Sequence, residues 1–134
     1  MNNSVSLAIA VAFALLTSLT TFADEPTHTK DTLATVKENV KAGKAQIVDV
    51  REQAEWNDGH VAGAIHLPKS QLDNKAKVAE LVKKLDKNKI IYTHCKAGGR
   101  ALACGELLKK EGFDVRPLKP GFSQLIEAGF EKGK

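Results

Sequence analysis

The segment Ile90-Ile91-Tyr92-Thr93-His94-Cys95-Lys96-Ala97-Gly98-Gly99-Arg100 holds the residue types best suited to chemistry. A short apolar run leads to a cysteine, two glycines follow, and an arginine stands at the start of a helical stretch. Glycines let a loop curl so that consecutive backbone N–H groups point inward as an anion-binding concavity. The amino-terminus of the next helix adds about half a positive charge, and Arg100 adds a full one beside it. A cysteine in that field favours its thiolate, the nucleophilic form. A thiolate facing a cradle for an anion is the layout of a nucleophile that attacks an anionic substrate.

The elements that must position this loop follow from periodicity. Leu33, Val36 and Val40 fall at helical spacing between Thr29 and Ala42, with Thr29 or Asp31 as cap and Gly43 as stop. Residues 46–50 form a buried strand. A second helical stretch covers 52–57, and 64–67 is a brief strand closed by Pro68. The Lys-rich segment 75–85 is amphipathic, with Val78, Leu81, Val82 and Leu85 on one face. A second core strand covers 90–93, a helix 99–111, a strand 115–118 and a last short helix 122–128. Alternating strands and helices in one small domain predict an α/β fold with a mostly parallel sheet. In such sheets ligands bind beyond the carboxyl ends of the strands, where Cys95 falls.

The chain has 134 residues, 43% hydrophobic and 27% charged, with a formal net charge of +4 and two cysteines. These values fit one globular domain and exclude a disordered or disulfide-stapled chain. The small positive excess suits weak attraction of small anions. No charged side chain precedes Asp24, and Val5 to Leu16 is almost wholly apolar. With Thr21-Phe22-Ala23 after it, residues 1–23 are expected to be a secretory signal peptide, cleaved to leave residues 24–134 as a single domain. The apolar run falls short of the ~20 residues of a spanning helix, so no stable membrane association is expected after cleavage. The expected compartment is the periplasm or the cell exterior. The lysines of 75–89 are interspersed with apolar positions and lack aromatic partners, a pattern that argues against nucleic-acid binding.

Three motifs, taken together, carry a family resemblance. Cys95-Lys96-Ala97-Gly98-Gly99-Arg100 resembles the active-site loop of rhodanese-like sulfurtransferases. Ile47-Val48-Asp49-Val50-Arg51-Glu52 resembles the family's Asp-x-Arg segment. Glu55 to Pro68, containing Gly59-His60-Val61-Ala62-Gly63-Ala64, is similar to its Gly-His-Ile-x-Gly-Ala segment. A secreted domain of this size is similar to the phage shock protein E type of periplasmic rhodanese. The family usually ends Gly-Gly, three residues, Trp; here Pro120 replaces the first Gly and Leu125 the Trp, a departure read as affecting last-helix packing more than the cysteine.

The resemblance implies a rhodanese-like fold, a small mostly parallel sheet with helices on both sides, and a persulfide cycle at Cys95. A small anionic donor such as thiosulfate would give its outer sulfur to Cys95, and cyanide or a thiol would accept it. Backbone amides of Lys96, Ala97, Gly98, Gly99 and Arg100 would hold the sulfur, and Arg100 would help bind the sulfonate. No cofactor is implied. The four histidines show no pairing with cysteines at zinc spacing, so no metal is expected.

Other residues read more plainly. Asp49 and Arg51 are expected to form an ion pair bracing the sheet end, and His60 to tie down the turn after Trp56. His66 and His94 read as incidental, Trp56 as a core residue, and Cys104 as an apolar residue of the 99–111 helix. Cys104 is expected to lie beyond disulfide reach of Cys95. Two other functions share the loop. One is a sulfur carrier or binding module that delivers the Cys95 persulfide to a partner without turnover. The other is a phosphatase or arsenate reductase, disfavoured because this loop is one residue shorter between cysteine and arginine.

Overall fold

The computed structural model describes residues 24–134, with residues 12, 14, 15 and 18–20. Apart from those positions, the leader expected over 1–23 lies outside the described residues. Among the described residues no helix is long and apolar enough to cross a membrane.

Four strands form one parallel sheet: β1 (Ala45–Asp49), β2 (Ile65–His66), β3 (Ile90–His94) and β4 (Asp114–Val115), in the order β2-β1-β3-β4. The strands alternate faces as period two requires. Ala45, Ile47 and Tyr92 enter one apolar cluster, while Val48, Val50 and Ile91 enter the other. Helices α1 (Leu33–Lys41) and α6 (Phe122–Glu127) cover the first face through Val36 and Leu125. Helices α3 (Lys69–Leu72), α4 (Lys75–Leu81) and α5 (Gly99–Lys110) cover the second. Along α5 the buried residues Ala101, Cys104, Gly105 and Leu108 keep helical spacing. The short helix α2 (Gln53–Asn57) buries nothing and stands at the carboxyl end of the sheet.

Several boundaries differ from the sequence reading for identifiable reasons. Helix α1 is capped by Thr32, whose side chain accepts the Thr35 N–H, and not by Thr29 or Asp31. Those two are drawn into tertiary contacts: Thr29 N–H donates to the Pro117 carbonyl, and the Asp31 carboxylate accepts from Tyr92 and Arg116. The 75–85 helix ends at Leu81 and tightens into a 3₁₀ turn over Val82–Lys84. Pro68, read as the end of a strand, also caps the short α3.

The topology fixes where a ligand can sit. The chain steps one way from β1 to β2, then returns across β1 to β3 and β4. The exits of β1 and β3 therefore part, leaving a crevice beyond their carboxyl ends. Asp49 and Arg51 stand at the first exit, Cys95 at the second.

Candidate active site

Cys95 is the first residue past β3, and it is 1% exposed. Two backbone amides converge on its sulfur: Gly98 N–H at 3.1 Å and Ala101 N–H at 3.4 Å. Ala101 is the third residue of α5, where an N–H has no acceptor inside the helix. The sulfur thus occupies the place of a capping side chain at the positive end of the helix. The sequence reading had placed the holding amides at 96–100; it did not include Ala101, which the capping geometry of any helix starting at Gly99 would have indicated. Gly98 makes the turn with φ of 98°, a left-handed conformation that favours glycine. Thr93 Oγ1 donates to the Ala101 carbonyl at 2.9 Å, tying β3 to α5.

A second glycine closes the loop from outside. Gly121 has ordinary extended backbone angles, so its identity is a matter of space. A Cβ there would overlap the Lys96 carbonyl oxygen and sit 3.0 Å from that of Cys95. Beside it the Phe122 N–H donates to the Cys95 carbonyl at 3.0 Å.

Arg100 is engaged by a carboxylate. Its Nη1 and Nη2 donate to the two carboxylate oxygens of Glu55, at 2.7 and 2.8 Å. The same carboxylate accepts the Glu52 N–H as half of a capping box on α2. The Arg100 hydrogen bonds hold the Glu55 carboxyl down at about 2, against a smaller opposing effect of burial. The pair is ionised and ties α5 to α2. The sequence reading gave Glu55 no role, although a glutamate three residues after Glu52 fits the capping pattern.

Asp49 and Arg51 form a buried ion pair with a 2.7 Å contact. Arg51 also donates to the Gly59 carbonyl at 2.8 Å and lies 4.3 Å from the centroid of the Phe122 ring. The pair thereby joins β1, the turn after α2 and α6 around the crevice. His60 donates from Nδ1 to the Trp56 carbonyl at 3.1 Å, and its ring stacks on Trp56 at 3.6 Å. Trp56 is half-buried and not a core residue, because His66 stacks on it as well, at 4.5 Å. His66 in turn contacts the Arg51 carbonyl at 2.7 Å.

His94 is fully buried with its Nε2 unpartnered, 3.7 Å from Asp49 Oδ2. Burial pushes the imidazole below its ordinary range more than Asp49 raises it, so it is neutral. Cys104 is also fully buried, and burial pushes its thiol up to about 12. It is a protonated core residue, and both cysteines are free. Among the described residues no group of three or more His, Cys, Asp or Glu is placed to hold a metal ion.

Two openings flank Lys96. One, of about 210 Å³, is lined by Arg51, Glu55, Asp58, Lys96, Phe122 and Ser123. The other, of about 370 Å³, lies between Lys96, Ala97, Lys119, Pro120 and Gln124. A larger cavity of about 600 Å³ involves Ala45 and Lys89, at the opposite end of the strands, and has no thiol or hydroxyl side chain in its lining.

The sequence profile described as the Rhodanese-like domain matches residues 32–128. The chain belongs to the rhodanese-like family. It is 34% identical over 86 residues to the thiosulfate sulfurtransferase GlpE of Coxiella burnetii, covering 63% of this chain and 75% of that protein. Among solved structures it is similar to a rhodanese-related protein from Thermoplasma volcanium. There the TM-score is 0.61 at 30% identity, over 75% of this chain and 93% of the other. The rhodanese-like domain of the Alr3790 protein from Anabaena gives a TM-score of 0.63 at 26% identity, over 82% and 80% of the two chains. Within the rhodanese-like fold, the Pro120-Gly121 departure now has a location. Gly121, the glycine that is kept, touches the cysteine loop directly, so this segment bears on the site as well as on helix packing. Leu125, in place of the family's tryptophan, is fully buried under α6.

Proposed function

We propose that this rhodanese-like chain is a sulfurtransferase that carries sulfane sulfur as a persulfide on Cys95. The observation that supports this most is the convergence of the Gly98 and Ala101 amides on one buried sulfur at the helix end. Such donors stabilise an anionic sulfur in a low-dielectric pocket, where each well-placed one contributes ~3 kcal/mol to a transition state that gathers charge. Thiosulfate fits as donor. The Cys95 thiolate attacks its outer sulfur, a new S–S bond forms, and the old one breaks with its electron pair leaving on sulfite. Cyanide or a thiolate then attacks the terminal sulfur, and Cys95 departs as thiolate. The openings beside Lys96 are of a size for small anions, and Lys96 supplies a cation at both. With its guanidinium held by Glu55, Arg100 contributes mainly by fixing the start of α5.

The test is intact mass of the protein after exposure to thiosulfate. Wild type should gain the mass of one sulfur atom, and Cys95→Ser should gain nothing. Thiocyanate released on adding cyanide, in repeated turnovers, would mark an enzyme. Loading followed by discharge only to a protein thiol would mark a carrier. Absence of any adduct, with hydrolysis of a phosphate ester by the same preparation, would overturn both.

A further inference from the structure

His28 lies four residues before the span that matches the family, yet its ring reaches the cysteine loop. Its Nε2 is 2.9 Å from the Gly98 carbonyl oxygen. A carbonyl only accepts, so His28 must carry its proton on Nε2 and donate. The ring is not loosely placed. Next to it the Thr29 N–H donates to Pro117 at 2.8 Å, and Asp31 is held by Tyr92 at 2.7 Å and by Arg116 at 3.0 Å. Residues 28–31 thus form a strap anchored on the β4–α6 connection and on β3, with one side chain turned to the loop. That ring also walls Gly98: a Cβ there would meet His28 Nε2 at 2.9 Å and the Lys119 carbonyl at 3.0 Å.

The restraint acts where the loop most needs it. Gly98-Gly99 is the pair of residues with the greatest backbone freedom, and the peptide between them can rotate as a unit. In a trans peptide the C=O and N–H point opposite ways. Holding the Gly98 oxygen toward His28 and toward the Leu102 N–H, 3.1 Å away, leaves the Gly99 N–H directed out of the helix end. A flipped peptide would take the acceptor from the Leu102 N–H and turn an oxygen out of the helix end where the Gly98 and Ala101 amides hold the sulfur. An anionic sulfur would be repelled in place of being held.

We propose that His28 is a positioning residue of the Cys95 loop, fixing the Gly98–Gly99 peptide so that its N–H faces the side where the sulfur anion is held. Its effect on sulfur transfer rests on the function proposed above; its effect on the peptide does not.

The experiment compares full-length wild type, His28→Ala and His28→Gln, because glutamine can place an N–H near the position of Nε2. Two readouts are taken: amide hydrogen exchange at Leu102, which donates to the Gly98 carbonyl, and the rate of sulfur loading from thiosulfate. In His28→Ala the Leu102 amide, whose acceptor is the Gly98 carbonyl, should exchange about fivefold to tenfold faster, the equivalent of one lost hydrogen bond, with β1 and β3 amides unchanged. Loading should slow by a similar factor at a temperature where all three proteins are fully folded, and His28→Gln should recover most of both. Unchanged Leu102 exchange in His28→Ala overturns the proposal, whatever the activity. If wild type itself takes up no sulfur, the sulfurtransferase reading falls, and the exchange data alone decide the role of His28. A loss in His28→Ala matched by an equal fall in thermal midpoint, and not recovered by glutamine, would reduce His28 to a packing residue and also overturn the proposal.

Discussion

Substituting Gly121 by alanine adds one methyl group where the strands, α6 and the cysteine loop meet. The backbone at Gly121 has φ of −92° and ψ of −175°, which alanine adopts freely, so no conformational strain enters. What enters is overlap with the Lys96 carbonyl oxygen and a 3.0 Å approach to that of Cys95. Relieving it requires the loop and the start of α6 to separate by about an ångström or more, the difference between overlap and ordinary contact. That movement stretches the 3.0 Å hydrogen bond from Phe122 N–H to the Cys95 carbonyl. Overpacking costs ~1–3 kcal/mol and the lost bond ~1 kcal/mol, so stability should fall by about 2–4 kcal/mol. For a domain near 100 residues this lowers the thermal midpoint by roughly 10–20 °C. A displacement of this size at a reacting centre also costs on the order of 100-fold in rate. The assay is sulfur loading of Cys95 from thiosulfate, followed by mass at a temperature where Gly121→Ala is fully folded. Loading within twofold of wild type, with a midpoint within two or three degrees, would refute the claim that Gly121 sets the position of the loop.

Other perturbations test the remaining contacts. Glu55 has its carboxyl lowered from 4.5 to about 2 by Arg100, so the pair's contribution is complete above about pH 4.5 and is lost as pH falls through about 2. Glu55→Gln should cost about 1 kcal/mol at neutral pH, since the pair is partly exposed, and the gap to wild type in urea titrations should narrow toward pH 2; a gap constant with pH would argue against the ion pair. Asp49→Asn strands the Arg51 guanidinium in a buried site and should destabilise by about 3–5 kcal/mol, whereas the double variant with Arg51→Met should cost less; equal losses would contradict the pairing. Cys104, held protonated up to about 12 in the core, should resist iodoacetamide in the native protein near neutral pH, and Cys104→Ala should load sulfur at the wild-type rate. Labelling of Cys104 before unfolding would refute its assignment. His94 is buried neutral and titrates below its ordinary value, so the unfolded chain takes up its proton first as pH falls through about 6.5. Wild type should lose stability over that range more steeply than His94→Gln; parallel curves would show that the ring accepts its proton in place.

The local sequence was sufficient for what depends on neighbours along the chain. The alternation of β1 and β3, the spacing of apolar residues in α1, α4 and α5, and the Cys95-to-Arg100 loop are set by residues a few positions apart. Periodicity decides which face is buried, and a glycine pair after a strand decides where the backbone can curl. The Asp49–Arg51 contact also spans only two residues. What the sequence left open involves partners far apart in the chain. Arg100 looked like an anion ligand until folding brought Glu55 within 2.7 Å, and a cation takes the carboxylate that the fold brings to it. Trp56 looked like core until two histidines were stacked against it. His28 carried no signal and Gly121 only a place in a segment read as helix packing, because each acts through a backbone oxygen of the loop, and backbone atoms leave no mark in residue type. The sequence by itself determined which cysteine follows a core strand and the glycine loop that curls beside it. Only the tertiary structure decided what holds that loop in place, since those restraints are through-space hydrogen bonds across 27 to 70 residues of chain, from the Phe122 amide at one end of the range to His28 at the other.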